Sequence, residues 1–289
     1  MAAGMKLGLF GVNMQTCATD RAHLIAVAEA AEASGWESVW TGEHYVLPDP
    51  RVASSPASPE TPMLDPFVAL SVVAARTERL LIGTGVTVVP LHQTLALAKR
   101  VASLDQVSAG RFLFGVGVGY LAPEFEALDA PMADRGRRMD EQLAALRAIW
   151  TEDAPVVEGD FVRFRGLRAE PRPVRRPGPP LHVGGHVASA YRRAVEQGDG
   201  WYGWALDPDA TKLCLDELAR VQDRHPRPAE RAPLEVSITP HPRVPLERDT
   251  VATYAELGVT RLIVLPPREA NTDPAALLDF VRQLPTQLA

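Results

Sequence analysis

Apolar positions along the chain follow two alternating rhythms. Short runs of strand character occur at Leu7–Phe10, Ser38–Trp40, Leu80–Val89, Phe112–Val118, Leu181–Val183, Gly200–Trp204, Leu234–Ile238 and Arg261–Leu265. Between them lie longer stretches in which apolar residues recur every three or four positions, the spacing that keeps one helix face on a core. In Arg21–Ser34, Leu24, Val27, Ala28 and Ala31 share such a face, and Gly35 stands where a C-terminal cap is wanted. Asp65 followed by Pro66 marks a second start, with a carboxylate at the N-cap and proline at the first helical position. Thr94–Val107, Arg137–Trp150, Ala188–Gln197, Pro208–Asp223, Thr250–Leu257 and Pro274–Leu284 complete the set.

Strand and helix alternating in this way predict parallel βαβ units. An open doubly wound sheet alternates too, but usually stops at about five or six strands. The strand count and the 289-residue length therefore predict a closed (β/α)8 TIM barrel, one domain over residues 1–289. Two segments break the rhythm and read as insertions on the barrel. One is the proline- and serine-rich Val46–Met63 after the second strand. The other is Ala154–Pro180, between the fourth and fifth strands, with a hairpin in "VVEGDFVRFRG" and then "EPRPVRRPGPP". Long loops in a compact domain tend to serve function.

Composition narrows the partners. Hydrophobic residues make up 46% and charged residues 23%, an ordinary globular balance. The net charge of −6 argues against a nucleic-acid or anionic-membrane surface. Cys17 and Cys214 are too few for a disulfide framework or a cysteine-based metal site. No secretory h-region or membrane-length apolar run is seen, so a cytoplasmic location and a small-molecule substrate are expected.

Barrels of this kind carry their chemistry at the C-terminal ends of the strands. The candidates there are Glu43 and His44 in "TGEHY", Thr84, Gly85 and Val86 in "LIGTGVTVVP", and Gly117, Val118, Gly119 and Tyr120 in "GVGVGY". Gly184, Gly185 and His186 in "HVGGH" follow, with Trp201, Tyr202 and Trp204 after the sixth strand. Histidine changes charge near neutral pH, so His44 suits proton transfer, though a structural loop histidine is the plain alternative. Adjacent strand residues point to opposite sides, so Glu43 is expected to pair elsewhere. Glycines within a strand mark a bulge or a close backbone approach. "GVGVG" fails the dinucleotide spacing G-x-G-x-x-G and is not followed by a clean helix, which leaves a strand end where ligand lies against bare backbone. "HVGGH" has glycines where a metal-binding helix would need turns, so no metal is expected. Its exposed N–H groups, with the helix from Ala188, suit a phosphate. Arg163, Arg165, Arg168, Arg172, Arg175 and Arg176 form either a solvated surface loop or an anion-binding lid.

The blocks "SVWTGEHY", "LLIGTGVTVVPLHQTLALAKRVASLDQVSAGRFLFGVGVGY", "EFEAL", "RGRRMDEQLAALRAIWTED" and "PPLHVGG…RRAVEQGDGWY" resemble the bacterial luciferase-like monooxygenase superfamily. The resemblance is nearest to its coenzyme F420-dependent oxidoreductase branch. It implies a TIM barrel whose third strand carries a bulge with a non-prolyl cis peptide at Gly85–Val86, backing the central ring of a deazaflavin. It implies His44 beside the reactive ring and in proton transfer. Glu43, Thr84 and the Gly117–Tyr120 loop would lie along the cofactor, and Gly184, Gly185 and His186 would grip its phosphate. Members are often homodimers. The chain departs from the pattern in having Glu43 where Asp is common and Tyr120 where some dehydrogenases carry a catalytic glutamate. His186 and Val187 stand where small polar residues are usual. The resemblance implies hydride transfer between deazaflavin C5 and a small organic substrate. The alternatives are an FMN-dependent monooxygenase that activates oxygen and a catalytically silent flavin-binding barrel. Leu47, Met63, Leu64, Tyr120, Trp201 and Trp204 are candidate walls of the substrate pocket.

Overall fold

The computed structural model describes residues 4–288. Strands β1 (Lys6–Phe10), β2 (Ser38–Thr41), β3 (Leu81–Thr84), β4 (Thr87–Val88), β5 (Phe112–Gly117), β8 (Leu181–Gly184), β9 (Gly200–Leu206), β10 (Glu235–Pro240) and β11 (Arg261–Val264) form one parallel sheet. The short antiparallel pair β6 (Val157–Glu158) and β7 (Arg163–Phe164) is the expected hairpin. β3 and β4 are two parts of one stave, and both pair with β5, so the sheet closes into the eight-staved barrel that the alternation predicts.

The helices are α1 (Thr16–Thr19), α2 (Arg21–Ala33), α3 (Pro66–Arg76), α4 (Thr94–Val107), α5 (Ala122–Ala127), α6 (Arg135–Thr151), α7 (Ala188–Gln197), α8 (Pro208–Arg224), α9 (Arg248–Glu256), α10 (Arg268–Thr272) and α11 (Pro274–Leu288). Their ends obey local chemistry. The Asp20 carboxylate accepts from the amides of Ala22 and His23, Asp65 from Val68, and Asp207 from Ala210, each satisfying orphan donors of a first turn. Gly35 ends α2 at φ +87, which a side chain would resist. α1, α5 and α10 are too short to leave a periodic signature. The segment after "GVGVGY" does turn helical, as the single short helix α5.

Alternation along each stave sends one set of side chains outward to the helices and the other inward. Leu9, Val39, Ile82, Phe114, Val116, Val183, Trp201, Ile238 and Leu262 go outward into the main core. Inward lie Phe10, Trp40, Leu113, Tyr202 and Ile263, a second cluster that fills the barrel. Trp40 spans this interior: a Cβ added at Gly8 or Gly83 would come within 2.8 or 2.6 Å of its indole, so both staves present bare backbone there. Below Trp40 the floor is ionic. The buried Arg261 guanidinium donates to Glu37 at 2.8 and 2.9 Å, to Glu235 at 3.1 Å and to Ser237 at 3.0 Å. His182 sits edge-on to Trp40, 5.8 Å between ring centroids, and is fully buried.

The arginine-rich insertion divides. Arg172 binds Asp153 and the carbonyl of Glu152, Arg176 binds the carbonyl of Trp150, and the amides of Val174 and Arg175 bind Asp105. These partners lie at the C-terminal ends of α4 and α6, the opposite end of the barrel from the mouth. The lid reading is therefore corrected: Arg168, Arg172, Arg175 and Arg176 lie along the barrel floor, and Arg165 pairs with Glu158 of its own hairpin.

Candidate active site

The third stave explains the glycines of "LIGTGVTVVP". Gly83 pairs with Leu113, but four residues later Thr87 pairs with Val116, only three further along. One extra residue has been inserted, which defines a β-bulge, and it lies within Thr84–Val86. The Gly85–Val86 peptide is cis. The amide of Gly85 still donates to the Thr41 carbonyl at 2.7 Å, so the bulge is tied to β2 on one side. Gly85 and Val86 are half-buried, whereas Thr84 and Thr87 are buried, so the bulge faces the open mouth. A Cβ at Gly85 would come within 3.0 Å of the Tyr202 ring and 3.2 Å of Phe10.

"GVGVG" on β5 is the other half of the same device. A Cβ at Gly115 would overlap the Thr84 carbonyl, one at Gly117 would reach Val86 Cγ2 at 2.6 Å, and one at Gly119 would reach Val88 Cγ1 and Phe125, both at 2.6 Å. Every second residue of the stave is glycine because every second residue of its bulged neighbour pushes toward it. Gly119 also adopts φ +76 as the chain leaves the strand toward α5. Thr84 faces away from the mouth, and its hydroxyl donates to the Gly115 carbonyl at 2.7 Å.

After β2 the side chains of "GEHY" part as strand geometry requires. The Glu43 carboxylate is buried and accepts from the Val88 amide at 2.6 Å and from His92 Nε2 at 3.0 Å. It thereby pins the far side of the bulge. His92 then carries its proton on Nε2, and its Nδ1 receives the Tyr45 hydroxyl at 3.2 Å. Burial, followed by the Glu43 charge, pushes the Tyr45 phenol up to about 12, so it remains a donor. His44 turns the other way, to Glu124 of α5. Nδ1 lies 2.9 Å from Glu124 Oε2, while Oε1 accepts the Tyr45 amide at 2.6 Å. Glu124 is 2% exposed, so this is a fixed partner and not a solvated ion pair. An ionised carboxylate can only accept, so the imidazole donates through Nδ1 and keeps Nε2 free of protein partners. Tyr120, half-exposed, stands edge-on to the ring at 6.0 Å.

The "VGGH" loop leads into α7. Gly184 and Gly185 are half-buried, and Gly185 adopts φ +126. α7 has no side-chain cap, leaving the first-turn amides of Ala188 and Ser189 without an acceptor from a capping residue. His186 is occupied differently: its Nε2 accepts the Trp204 amide at 3.0 Å, and burial lowers its pKa, which keeps that nitrogen bare. It braces the sixth stave, with only Nδ1 left to face a ligand.

At the mouth Phe10 lies 4.7 Å from Trp204 with the rings tilted at 60°, and Tyr120 is half-exposed, whereas Met63 bridges to Met14 and Leu64 packs against the outer core. Trp201 is removed from the candidate walls. It is fully buried on the outer face against Tyr191, with its indole N–H on the Gly185 carbonyl at 2.9 Å. The structure adds two residues that sequence reading missed, Glu124 and His92. Glu124 lay inside the quoted block "EFEAL", but nothing in its spacing connects it to His44, 80 residues earlier. Among the described residues no cluster of His, Cys, Asp and Glu fit for a metal occurs, and no helix is long and apolar enough to cross a membrane.

The mouth fits a flat, anionic cofactor: the half-buried glycines at 85, 184 and 185 present backbone without a side chain, each with protein packed close beside it, and uncapped α7 amides suit a phosphate. An uncharacterized protein of Mycobacterium tuberculosis is 31% identical over 274 residues, covering 91% of this chain and 93% of its own. Two solved structures share the fold at low identity. The FMN-bound oxygenating constituent of 3,6-diketocamphane monooxygenase from Pseudomonas putida has a TM-score of 0.74 at 15% identity, covering 99% of this chain and 98% of that one. An F420-dependent secondary alcohol dehydrogenase, bound to an F420–acetone adduct, has a TM-score of 0.72 at 16% identity, covering 96% and 99%. The model of the luciferase-like monooxygenase family matches residues 5–260, and the chain is a member of that family of oxidoreductases and monooxygenases.

Proposed function

We propose that the protein is a coenzyme F420-dependent oxidoreductase that moves a hydride between the deazaflavin and a small organic substrate. The observation that carries this reading is the His44–Glu124 pair beside the Gly85–Val86 bulge. Bound reduced deazaflavin supplies the hydride at its C5 carbon. When a carbonyl or activated double bond accepts a hydride, a proton must follow, and reversal releases one. His44 offers Nε2 for that proton at the mouth, while Glu124 fixes the orientation and tautomer of the ring. Gly85, Val86 and the glycines of the fourth and fifth staves would hold the ring system. The Gly185–Ser189 backbone would hold the phosphate. Glu43 and His92 keep the bulge in place without touching the ligand. Phe10, Tyr120 and Trp204 make the opening aromatic, which suits an apolar or conjugated substrate and excludes bulk water from the reacting atoms.

The sequence blocks favour the F420 branch, and likeness to the F420-dependent alcohol dehydrogenase is consistent with it. The second reading, an FMN-dependent monooxygenase, draws support from an equal likeness to the FMN-bound oxygenase. Anaerobic turnover with reduced F420 across a panel of ketones, enones and alcohols separates the two. Turnover without oxygen is the expected result, whereas activity only with reduced FMN and oxygen would replace the proposal by the second reading. No turnover with either cofactor across the panel would leave a silent barrel, and a His44→Ala variant matching the wild type on a substrate so identified would remove His44 from the proton step.

A further inference from the structure

Outside the barrel wall, between the start of α4, the first half of α6 and the β6–β7 hairpin, lies a cavity of about 220 Å³. We propose that it binds a phosphate group, separately from the cofactor cleft. None of its lining residues is acidic. Arg138 and Arg163 both line it, and neither makes an ion pair among the described residues. Arg138 Nε is buried with no hydrogen-bond partner. α4 is a 14-residue helix whose first turn opens into the same space at Thr94 and Leu95. The Gln93 side chain caps only the Ala96 amide, so the amides of Thr94 and Leu95 have no acceptor within the helix. The independent mark of a ligand is Gln142, 2% exposed and lining the cavity. Its Nε2 donates to the His92 carbonyl at 2.9 Å and toward the Thr94 hydroxyl at 3.3 Å, leaving Oε1 buried without a donor.

The site thus offers a guanidinium and helix-end amides as donors, together with one acceptor that needs a proton. Hydrogen phosphate meets both needs: its bare oxygens take the donors, and its hydroxyl donates to Gln142 Oε1. Sulfate at neutral pH has the charge but no hydroxyl, so it leaves Gln142 unpaired, a costly state for a buried acceptor. The volume falls below the roughly 300–1,000 Å³ of pockets for drug-sized ligands, which fits a free ion. Arg163 is exposed at the rim.

The test is isothermal titration of the full-length chain with inorganic phosphate at constant ionic strength, repeated with sulfate and with phenyl phosphate. Saturable phosphate binding about tenfold tighter than sulfate is expected, since one buried hydrogen bond to a charged ligand is worth about that factor. Arg138→Gln should weaken phosphate by at least about tenfold, and the exposed Arg163→Gln by less, while Arg165→Gln leaves it unchanged. Phenyl phosphate, a dianion without a hydroxyl at neutral pH, should bind no tighter than sulfate, and phenyl phosphate matching inorganic phosphate would overturn the proposal. Equal affinity for sulfate, or phosphate binding indifferent to both Arg138→Gln and Arg163→Gln, as for an ion held at α7, would overturn the proposal.

Discussion

Replacing Glu124 by glutamine tests the proton-transfer half of the account with almost no change of shape. The two carboxylate oxygens have separate jobs, Oε1 on the Tyr45 amide at 2.6 Å and Oε2 on His44 Nδ1 at 2.9 Å. Glutamine has one acceptor and a donating amide, so it can serve only one of these N–H groups. The Tyr45 amide cannot give up its proton, whereas an imidazole can move its own to the other nitrogen. The glutamine carbonyl therefore stays with Tyr45, its NH2 faces Nδ1, and the proton shifts to Nε2. That places the wrong tautomer at the mouth. In a serine-protease triad the matching Asp→Asn change costs about 10⁴ in kcat, and general acid–base assistance alone is worth about 10²–10⁴. A fall in kcat of about 10²–10⁴ is expected, with thermal stability altered little because each hydrogen bond finds a replacement. Long-range ¹⁵N–¹H spectra of the imidazoles read the tautomer directly and need no substrate. A Glu124→Gln variant that keeps the Nδ1–H tautomer, with turnover within about threefold of the wild type, would refute the reasoning.

Glu43→Ala should loosen the bulge from its far side: it leaves the Val88 amide without its buried acceptor, about 1–3 kcal/mol, which corresponds to roughly 2–12 °C in Tm by calorimetry. Gly117→Ala drives a methyl to within 2.6 Å of Val86 Cγ2. The resulting overpacking of about 1–3 kcal/mol should appear as weaker cofactor binding in equilibrium titration, because Val86 can yield only toward the mouth. His182 at the barrel floor is held down to about 3, by burial first and Arg261 second. Below about pH 6.5 the unfolded chain therefore binds a proton that the folded chain refuses, and stability falls as pH drops, by about 1.4 kcal/mol per unit at most. Urea unfolding at pH 7 and pH 5 should show a steeper loss for the wild type than for His182→Gln. At lower pH a second loss enters through Glu235. Burial raises its pKa, but Arg261 and Lys6 overcome this and hold it near 2.

The eight staves were legible because outward positions meet helices and inward positions meet each other, so each strand carries its own apolar run. The helix starts at Asp65 and Pro208 were legible because a capping carboxylate and a first-turn proline act within three or four residues. Gly83 and Gly85 inside a strand-like run located the bulge, but its cause lay elsewhere. Gly83 makes room for Trp40, and Gly115 and Gly117 make room for what the bulge displaces. Such fits depend on register between staves, which one strand's sequence does not state. For the same reason the partners of Glu43 and His44 were hidden, as the contacts to His92 and Glu124 close across 49 and 80 residues. Trp201 and Trp204 look alike in sequence, yet alternation puts one in the outer core and the other at the mouth.

In the proposed function the mouth above Gly85–Val86 receives a deazaflavin. Fluorescence titration of the purified chain with F420 and with FMN, each in oxidised form, tests it most directly. Saturable binding of F420 in the micromolar range is expected, with much weaker binding of FMN and with the F420 affinity reduced in Gly117→Ala. Micromolar binding of FMN with none of F420 would contradict it.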